Sequence, residues 1–290
     1  MSSPLELAAS WLAAGTANAL TSALLHPLDR ARVVQQLQRP PLPLRATFAS
    51  MLAASGGSAF SALWLPGLYA SMIRELLYSG PRIGFYVPVR DAVDAALGGA
   101  NGGGASGVAL KVATGVCTGV LGCILSNPID VVKVRLMRAP RAYGSTLGAV
   151  PQIVAAEGVA GLYKGFVPST LRGAAMTVGQ ITCYDVSKGE LARALALPEG
   201  PALHVAAALV TGACATLLSA PFDVIKTRAM ARADAHESVP SVLRALWREG
   251  GLPASLFRGI APAYMRQGPF VLICMPLMEQ LRALAGLGYV

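Results

Sequence analysis

The sequence predicts an all-α membrane protein in which six transmembrane helices form three repeated pairs with pseudo-threefold symmetry. The hydropathy, six apolar stretches and a residue pattern that recurs three times support this fold class. Of the 290 residues, 54% are hydrophobic and only 13% are charged, whereas soluble domains have about 25% charged residues. So few charges cannot cover a soluble protein of this size, and we therefore expect a membrane protein.

The charge balance is basic, with 24 Lys and Arg residues against 15 Asp and Glu residues. Nucleic-acid-binding proteins are also basic, but they do not combine basic charge with this hydropathy. An anionic membrane surface or an anionic solute explains both properties. The five cysteines occur singly and the three histidines are not grouped with them, so we expect neither a metal site nor a disulfide.

The six apolar stretches alternate in character, and each is close to the roughly 20 residues that cross a bilayer. The first, third and fifth, at 5–26, 108–127 and 202–220, contain few ionisable residues. The second, fourth and sixth carry arginines near their middles, at Arg74 and Arg82, at Arg172 and at Arg266. This alternation predicts one helix pair used three times.

Offsets along the chain support the repeat. Similar octets, PLDRARVV, PIDVVKVR and PFDVIKTR, begin at Pro27, Pro128 and Pro221. A glycine follows each proline after 40, 37 and 38 residues; an arginine lies 7 residues beyond that glycine and a base 23 residues beyond it. We therefore expect one integrated transmembrane domain with repeats at 1–100, 101–198 and 199–290.

Loop charge predicts the topology. The loops after the first, third and fifth helices contain arginines, whereas the loop at 97–107 and the segment at 198–201 contain no bases. The positive-inside rule places the basic loops on the negative-potential side and both termini on the opposite side. Short amphipathic helices are expected on the basic side, for example at 148–157 and 238–248.

The octets predict a ring of ion pairs. In each octet an acid and a base three residues later share one helix face, and the preceding proline bends the helix. Three such bends at one end of a threefold bundle would let each acid pair with the base of the next repeat. The six residues are Asp29, Arg32, Asp130, Lys133, Asp223 and Lys226. Breakable ion pairs across the end of a pore would act as a gate.

A second, weaker ring is expected at the other end of the bundle. Val87 stands where an acid would complete it, and Pro88 and Pro276 lie nearby. The ring would therefore close less firmly than the first. Its candidate residues are Tyr86, Arg90, Tyr184, Asp185, Lys188, Glu279 and Arg282.

The arginines within the second, fourth and sixth helices are the main candidates for binding a solute. An arginine at bilayer depth costs about 3 kcal/mol or more and normally faces a cavity. Glu75 is the only acid near Arg74, Arg82, Arg172 and Arg266 in the sequence, so we expect these arginines to give a cavity excess positive charge. Because guanidinium groups bind carboxylates bidentately, the solute should be a small anion with two carboxylates or a comparable oxyanion.

The three octets resemble the signature of the mitochondrial carrier family, and the resemblance covers essentially the whole chain. The second and third repeats match the signature in full, while Val34 replaces a base in the first. Three segments are similar to the branch of dicarboxylate carriers, oxoglutarate carriers and uncoupling proteins, and are most like a dicarboxylate carrier. They are RIGFYVPVR (82–90), LRGAAMTVGQITCYDVSK (171–188) and MRQGPFVLICMPLMEQLR (265–282).

This resemblance implies roles for individual residues. Arg82, Arg172 and Arg266 would contact the substrate, with Gly173 and Gln180 beside Arg172. Gln36 would brace the ring, which becomes a matrix-side gate; Met137 and Met230 occupy the same position in the other repeats. Two aromatic–base–glycine motifs would bind cardiolipin through Lys164, Gly165, Arg258 and Gly259. The first repeat has Leu65-Pro66-Gly67 at this position, which disfavours a third lipid site.

The predicted function is exchange of a small dicarboxylate or oxyanion, such as malate, succinate, oxoglutarate or phosphate, across the inner mitochondrial membrane by alternating access. Both termini would face the intermembrane space. No enzyme activity and no cofactor other than bound cardiolipin are expected, and three repeats suffice for a monomeric carrier. One alternative is an uncoupling-type proton or anion transporter, although the neutral Gln180 disfavours it because uncoupling proteins tend to have a glutamate there. The other is a carrier-like scaffold without transport activity.

Overall fold

A computed structural model describes residues 4–38, 42–53, 58–96, 104–195, 201–231, 239–249 and 251–284. All regular secondary structure in these ranges is helical. The helical part of the predicted fold class is therefore confirmed.

The three repeats contain corresponding helices in the same order. The first contains α1 (Pro4–Leu24), α2 (His26–Leu37), α3 (Leu44–Ala53), α4 (Ala59–Leu63), α5 (Leu68–Gly84) and α6 (Tyr86–Ala96). The second contains α7 (Gly104–Arg138), α8 (Pro140–Tyr143), α9 (Thr146–Glu157), a 3-10 turn (Val159–Tyr163) and α10 (Phe166–Leu195). The third contains α11 (Pro201–Ala231), α12 (Val239–Arg248), α13 (Leu252–Leu256) and α14 (Ile260–Leu284).

The first repeat differs from the others at its octet. Its first long helix is interrupted at Leu25, just before Pro27, whereas Pro128 and Pro221 lie inside the continuous helices α7 and α11. Proline removes a hydrogen bond from a helix and favours an interruption there. His26 fixes this interruption because its Nε2 atom lies 3.0 Å from the Pro66 carbonyl oxygen.

Short helices lie where the basic loops were expected. The predictions at 148–157 and 238–248 are confirmed by α9 and α12, with bounds that differ by one or two residues. The short helices α3, α9 and α12 each bury two residues four positions apart, so that one face packs against the neighbouring long helix. The buried pairs are Thr47 and Met51, Ala149 and Ile153, and Val242 and Leu246.

Two of the long helices have the length and composition of membrane spans. These spans are Ala109–Arg138 and Ala206–Ala231, within α7 and α11. They correspond to the third and fifth predicted spans. The other four predicted spans rest on the repeat pattern.

A glycine at the start of each second long helix allows neighbouring repeats to approach closely. Gly67, Gly165 and Gly259 all have positive φ angles, between 72° and 81°. A Cβ atom on Gly165 would lie 2.9 Å from Met230 Cγ and 3.2 Å from the Lys226 carbonyl oxygen on α11. The glycine therefore sets the spacing between the second and third repeats.

We predict that Gly165→Ala destabilises the protein more than Gly144→Ala. Gly144 also has a positive φ angle of 66°, but no atom lies within 4 Å of a Cβ placed there. Backbone strain should cost about 1–2 kcal/mol at either position, and overpacking should add about 1–3 kcal/mol at Gly165. Thermal unfolding of the two variants measures the difference, and equal losses would contradict close packing at Gly165.

Candidate functional site

The six octet residues form the ring that the sequence predicts; we call it the ion ring. Each acid pairs with the base of the next repeat, so the ring connects all three repeats. The bridges join Lys133 Nζ to Asp29 Oδ2 at 2.6 Å, Lys226 Nζ to Asp130 Oδ2 at 2.7 Å, and Arg32 to Asp223.

Gln36 lies at the position expected of a brace. Its Nε2 atom donates a hydrogen bond to Asp223 Oδ2 at 3.1 Å, the same carboxylate that pairs with Arg32. Met137 and Met230 are fully buried at the corresponding positions. The structure therefore places a bracing amide at one bridge and an apolar side chain beside each of the other two.

The aspartates of the ion ring also bind arginines from the second long helices. We call Arg74, Arg172 and Arg266 the floor arginines. Each binds the aspartate of the following repeat through its second carboxylate oxygen. The distances are 3.1 Å from Arg74 Nε to Asp130 Oδ1, 3.3 Å from Arg266 Nη1 to Asp29 Oδ1 and 3.8 Å from Arg172 Nε to Asp223 Oδ1.

The prediction that Glu75 is the only acid near these arginines is wrong. The pairing of the floor arginines with the aspartates was not apparent from the sequence, because each arginine and its aspartate belong to different repeats. The three aspartates line the cavity at the level where the neighbouring helix presents its arginine. Asp29, Asp130 and Asp223 are consequently only 5–6% exposed and each interacts with two bases.

A side chain four residues further along the helix packs against each floor arginine. Tyr78 and Phe270 place their rings 4.8 Å and 5.3 Å from the guanidinium carbons of Arg74 and Arg266. Met176 Sδ accepts a contact of 3.7 Å from Arg172 Nη1. These partners were not among the predicted site residues, although a spacing of four residues places them on one helix face.

Glu75 breaks the threefold symmetry at the floor arginines. Its Oε1 atom lies 2.7 Å from Arg74 Nη1, and the residue is 5% exposed. The residues that follow the other two floor arginines are Gly173 and Gln267. Arg74 therefore binds two carboxylates, whereas the described contacts of Arg172 and Arg266 include one each.

An open cavity is lined by the ion ring and the floor arginines. Nine of its lining residues are charged, comprising six bases and three acids. Glu75 is bound to Arg74 behind this lining, so the described charges sum to +2 (six bases minus four acids). The lining residues are Asp29, Arg32, Val33, Arg74, Asp130, Lys133, Val134, Arg172, Asp223, Lys226, Thr227 and Arg266.

The remaining predicted substrate contacts lie further along the helices. A Cβ atom on Gly173 would meet no atom within 4 Å, so the backbone next to Arg172 is uncrowded. Gln180 lies two turns beyond Arg172 on α10 and is half-buried. Arg82 belongs to α5, but its side chain lies outside the described part of the structure.

The second predicted ring stays a prediction. Arg90 Nη2 pairs with Asp91 Oδ1 on its own helix at 3.0 Å, and both side chains are at least half exposed. The side chain of Asp185 lies outside the described residues. Tyr184, Lys188 and Arg282 make contacts, while Tyr86 and Glu279 are half-buried.

Two further acid–base clusters lie beside the predicted lipid sites. Arg135 Nη1 and Lys164 Nζ bind Glu157 at 2.5 Å and 2.6 Å. The corresponding cluster in the third repeat joins Arg228 and Arg258 to Glu249 at 2.7 Å and 2.9 Å. The bases proposed to bind lipid thus also hold the end of a short helix.

These clusters also connect one repeat to the next. Arg135 Nε donates to the Met230 carbonyl oxygen at 3.1 Å, and Arg228 Nε donates to the Gln36 carbonyl oxygen at 3.0 Å. The first repeat has Val34 and Pro66 at the positions of the two bases. It therefore lacks the basic residues of the cluster.

We predict that Glu157→Gln lowers stability at neutral pH and makes the protein less sensitive to acid. Burial alone would raise the pKa of Glu157, but hydrogen bonds from Arg135 and Lys164 outweigh it and hold the pKa below its usual 4.5. The stabilisation is therefore complete above pH 4.5 and is lost as the pH falls through the lowered pKa. The loss at neutral pH should be about 1.5–3 kcal/mol.

The control for this measurement is Glu190→Gln. Glu190 pairs with Arg193 on an exposed surface, where an ion pair contributes about 0–1 kcal/mol. Thermal unfolding between neutral pH and pH 4 compares the two variants. Identical pH profiles would contradict the role of the Glu157 cluster.

Comparisons with known proteins identify relatives of this chain. A family model described as "Mitochondrial carrier protein" matches residues 104–194 and 198–287. The chain is 31% identical to the mitochondrial brown fat uncoupling protein 1 of Canis lupus familiaris, covering 96% of this chain and 93% of that protein.

Two other relatives are named as transporters. The chain is 29% identical to the mitochondrial dicarboxylate transporter of Saccharomyces cerevisiae, covering 94% of this chain and 91% of the relative. It is also 29% identical to the mitochondrial citrate transporter F of Aspergillus niger, over 92% of this chain and 86% of the relative. These similarities extend over nearly the whole length of each protein.

Proposed function

Because the chain belongs to the mitochondrial carrier family, we propose that it exchanges a small dicarboxylate or related oxyanion across the inner mitochondrial membrane. In this proposal six helices cross the membrane in three repeats, at 1–100, 101–198 and 199–290. The basic loops and their short helices face the matrix, as the charge asymmetry of the loops favours. Both termini then face the intermembrane space.

The observation that carries the proposal is the charge of the cavity. Six bases and four acids leave an excess of two positive charges among the described side chains. A cavity with excess charge of one sign concentrates solutes of the opposite sign. A dianion such as malate, succinate, oxoglutarate or hydrogen phosphate would neutralise this excess.

Each aspartate is shared between the ion ring and a floor arginine, and this sharing can couple substrate binding to opening of the ring. An anion that binds Arg172 and Arg266 competes directly with Asp223 and Asp29 for these guanidinium groups. Each aspartate then keeps only its bridge within the ion ring, and the ring is weakened while substrate is bound. A ligand shifts a conformational equilibrium only through different affinities for the two states, and this competition provides the difference.

No bond in the solute is made or broken in this mechanism, so we propose a transporter and not an enzyme. Arg82, Gly173 and Gln180 would complete the substrate site further along the helices. The second ring, containing Arg90 and Lys188, would close the opposite end when the ion ring opens.

Lipid binding is a separate part of the proposal. Cardiolipin phosphate would bind at Lys164–Gly165 and Arg258–Gly259, where backbone N–H groups at the starts of α10 and α14 favour an anion. These sites need no further cofactor. The pathway lies within one chain, so a monomer suffices.

The second candidate function is uncoupling, favoured by the 31% identity to the uncoupling protein of Canis lupus familiaris. It predicts a proton leak that fatty acids stimulate and nucleotides inhibit. It does not require exchange of dicarboxylates. The two candidates are therefore separable in one reconstituted system.

We predict that liposomes containing the protein exchange internal for external radiolabelled dicarboxylate, with malate, succinate, oxoglutarate, phosphate and citrate compared in parallel. Arg172→Ala should reduce exchange by about 10- to 100-fold, as expected when charged hydrogen bonds to a ligand are lost. The control is Arg193→Ala, because Arg193 lies on an exposed surface and should be dispensable.

Exchange that is unchanged in Arg172→Ala would contradict the assignment of the floor arginines. A proton leak without anion exchange would favour the uncoupling function. Neither exchange nor leak, in protein that unfolds cooperatively, would favour a scaffold without transport activity.

A further inference from the structure

Arg30 is a buried arginine at a position that the other two repeats fill with valine. It follows Asp29 directly, as Val131 and Val224 follow the corresponding aspartates. Both valines are fully buried, and Arg30 is only 7% exposed. The substitution thus places a guanidinium group where the symmetry-related positions are apolar.

The surroundings of the two valines show that this position is an apolar packing position in the second and third repeats. Val131 belongs to an apolar cluster with Ala149 and Ile153 of α9. Val224 packs in the same way with Val242 and Leu246 of α12. Both are dry contacts between a long helix and a short helix, and such contacts offer no partner to a charge.

Two of the three guanidinium nitrogen atoms of Arg30 lack a hydrogen-bond partner within the described part of the chain. Its Nε and Nη1 atoms are buried without a hydrogen-bond partner, and no ion pair joins Arg30 to a described carboxylate. A buried charge without a partner is strongly unfavourable. A group from outside the described protein would relieve this cost.

Local sequence explains the lack of an acidic partner. Residues 30–74 contain five arginines and no aspartate or glutamate. In the other repeats Glu157 and Glu249 supply carboxylates to the nearby bases. The first repeat has no such residue between Asp29 and Glu75.

We propose that Arg30 is the centre of an anion-binding site between α2 and the short helix α3, and that it takes a phosphate oxyanion. A guanidinium group binds phosphate through two parallel hydrogen bonds. Inorganic phosphate and the phosphate of an anionic lipid headgroup share this chemistry. The site is separate from the cavity and from the basic residues Lys164 and Arg258.

The chain provides a matched variant for the test, because Arg30→Val installs the residue of the other two repeats. Thermal unfolding of purified, detergent-solubilised protein is followed with two probes. One is inorganic phosphate, with chloride at equal ionic strength as its control. The other is phosphatidylglycerol in mixed micelles, with phosphatidylcholine as its control. An anion that binds only the folded state raises the unfolding temperature.

We expect one of the probes to stabilise the wild-type protein more than it stabilises Arg30→Val, because the variant keeps the cavity and the basic residues Lys164 and Arg258. An Arg30-dependent shift with inorganic phosphate identifies a free oxyanion as the ligand, and an Arg30-dependent shift with phosphatidylglycerol alone identifies a lipid headgroup. Arg30→Lys keeps the positive charge but cannot form two parallel hydrogen bonds to phosphate. It should weaken the apparent affinity for the phosphate probe by about tenfold or more. It also serves as the test if Arg30→Val does not fold.

Arg266→Ala separates this site from the cavity. The increase in unfolding temperature that depends on Arg30 persists in this variant, even if the proposed transport function is wrong. Equal shifts in the wild type and Arg30→Val would overturn the proposal. The absence of a shift with either probe would also overturn it.

Discussion

The structure depends on three buried carboxylates that are each shared by bases from both other repeats. Asp29, Asp130 and Asp223 are almost fully buried, and a buried charge is tolerated only with well-placed partners. One oxygen of each aspartate binds a base of the ion ring and the other binds a floor arginine. Neither partner comes from the repeat of the aspartate itself. Removing any repeat would leave unpaired charges in the other two.

Other features of the fold serve this arrangement. The glycine at the start of each second long helix lets the neighbouring repeat come close. Gly67, Gly165 and Gly259 each approach the carbonyl oxygen of an ion-ring base, namely Lys133, Lys226 and Arg32. The spacing between repeats and the position of the ring are therefore set at the same contact.

Departures from threefold symmetry are concentrated in the first repeat. Glu75 adds a carboxylate to Arg74, Val34 and Pro66 remove the bases of the acid–base cluster, and Arg30 brings a charge into an apolar contact. A dicarboxylate is not threefold symmetric, so the proposed substrate site would benefit from unequal arginines. Arg172 and Arg266 are engaged by fewer acids than Arg74, which makes them the better partners for an anion.

The recurrence of the octets was enough to predict the ion ring and its direction, and the family resemblance added the single glutamine brace. Periodicity also placed α9 and α12 to within two residues. The floor arginines were identified from the sequence, but their pairing with the aspartates was not. Each pair joins residues of different repeats, and the pattern within one repeat does not indicate how deep its residues lie relative to those of another. The cluster around Glu157 lies within one repeat, and it was missed because its acid and its two bases come from three separate segments of that repeat. Excess positive charge in the cavity was expected from the arginines alone, and the three aspartates that offset part of it became apparent only from the structure.

The coupling between Arg266 and Asp29 shows whether a bound anion displaces the aspartates from the floor arginines. A double-mutant cycle with Arg266→Gln and Asp29→Asn, followed by thermal unfolding, measures their interaction free energy with and without saturating dicarboxylate. If an anion displaces the aspartate from the arginine, the coupling is favourable in the free protein and falls toward zero when the anion is bound. A coupling that the anion leaves unchanged would show that the shared aspartates do not connect substrate binding to the ion ring.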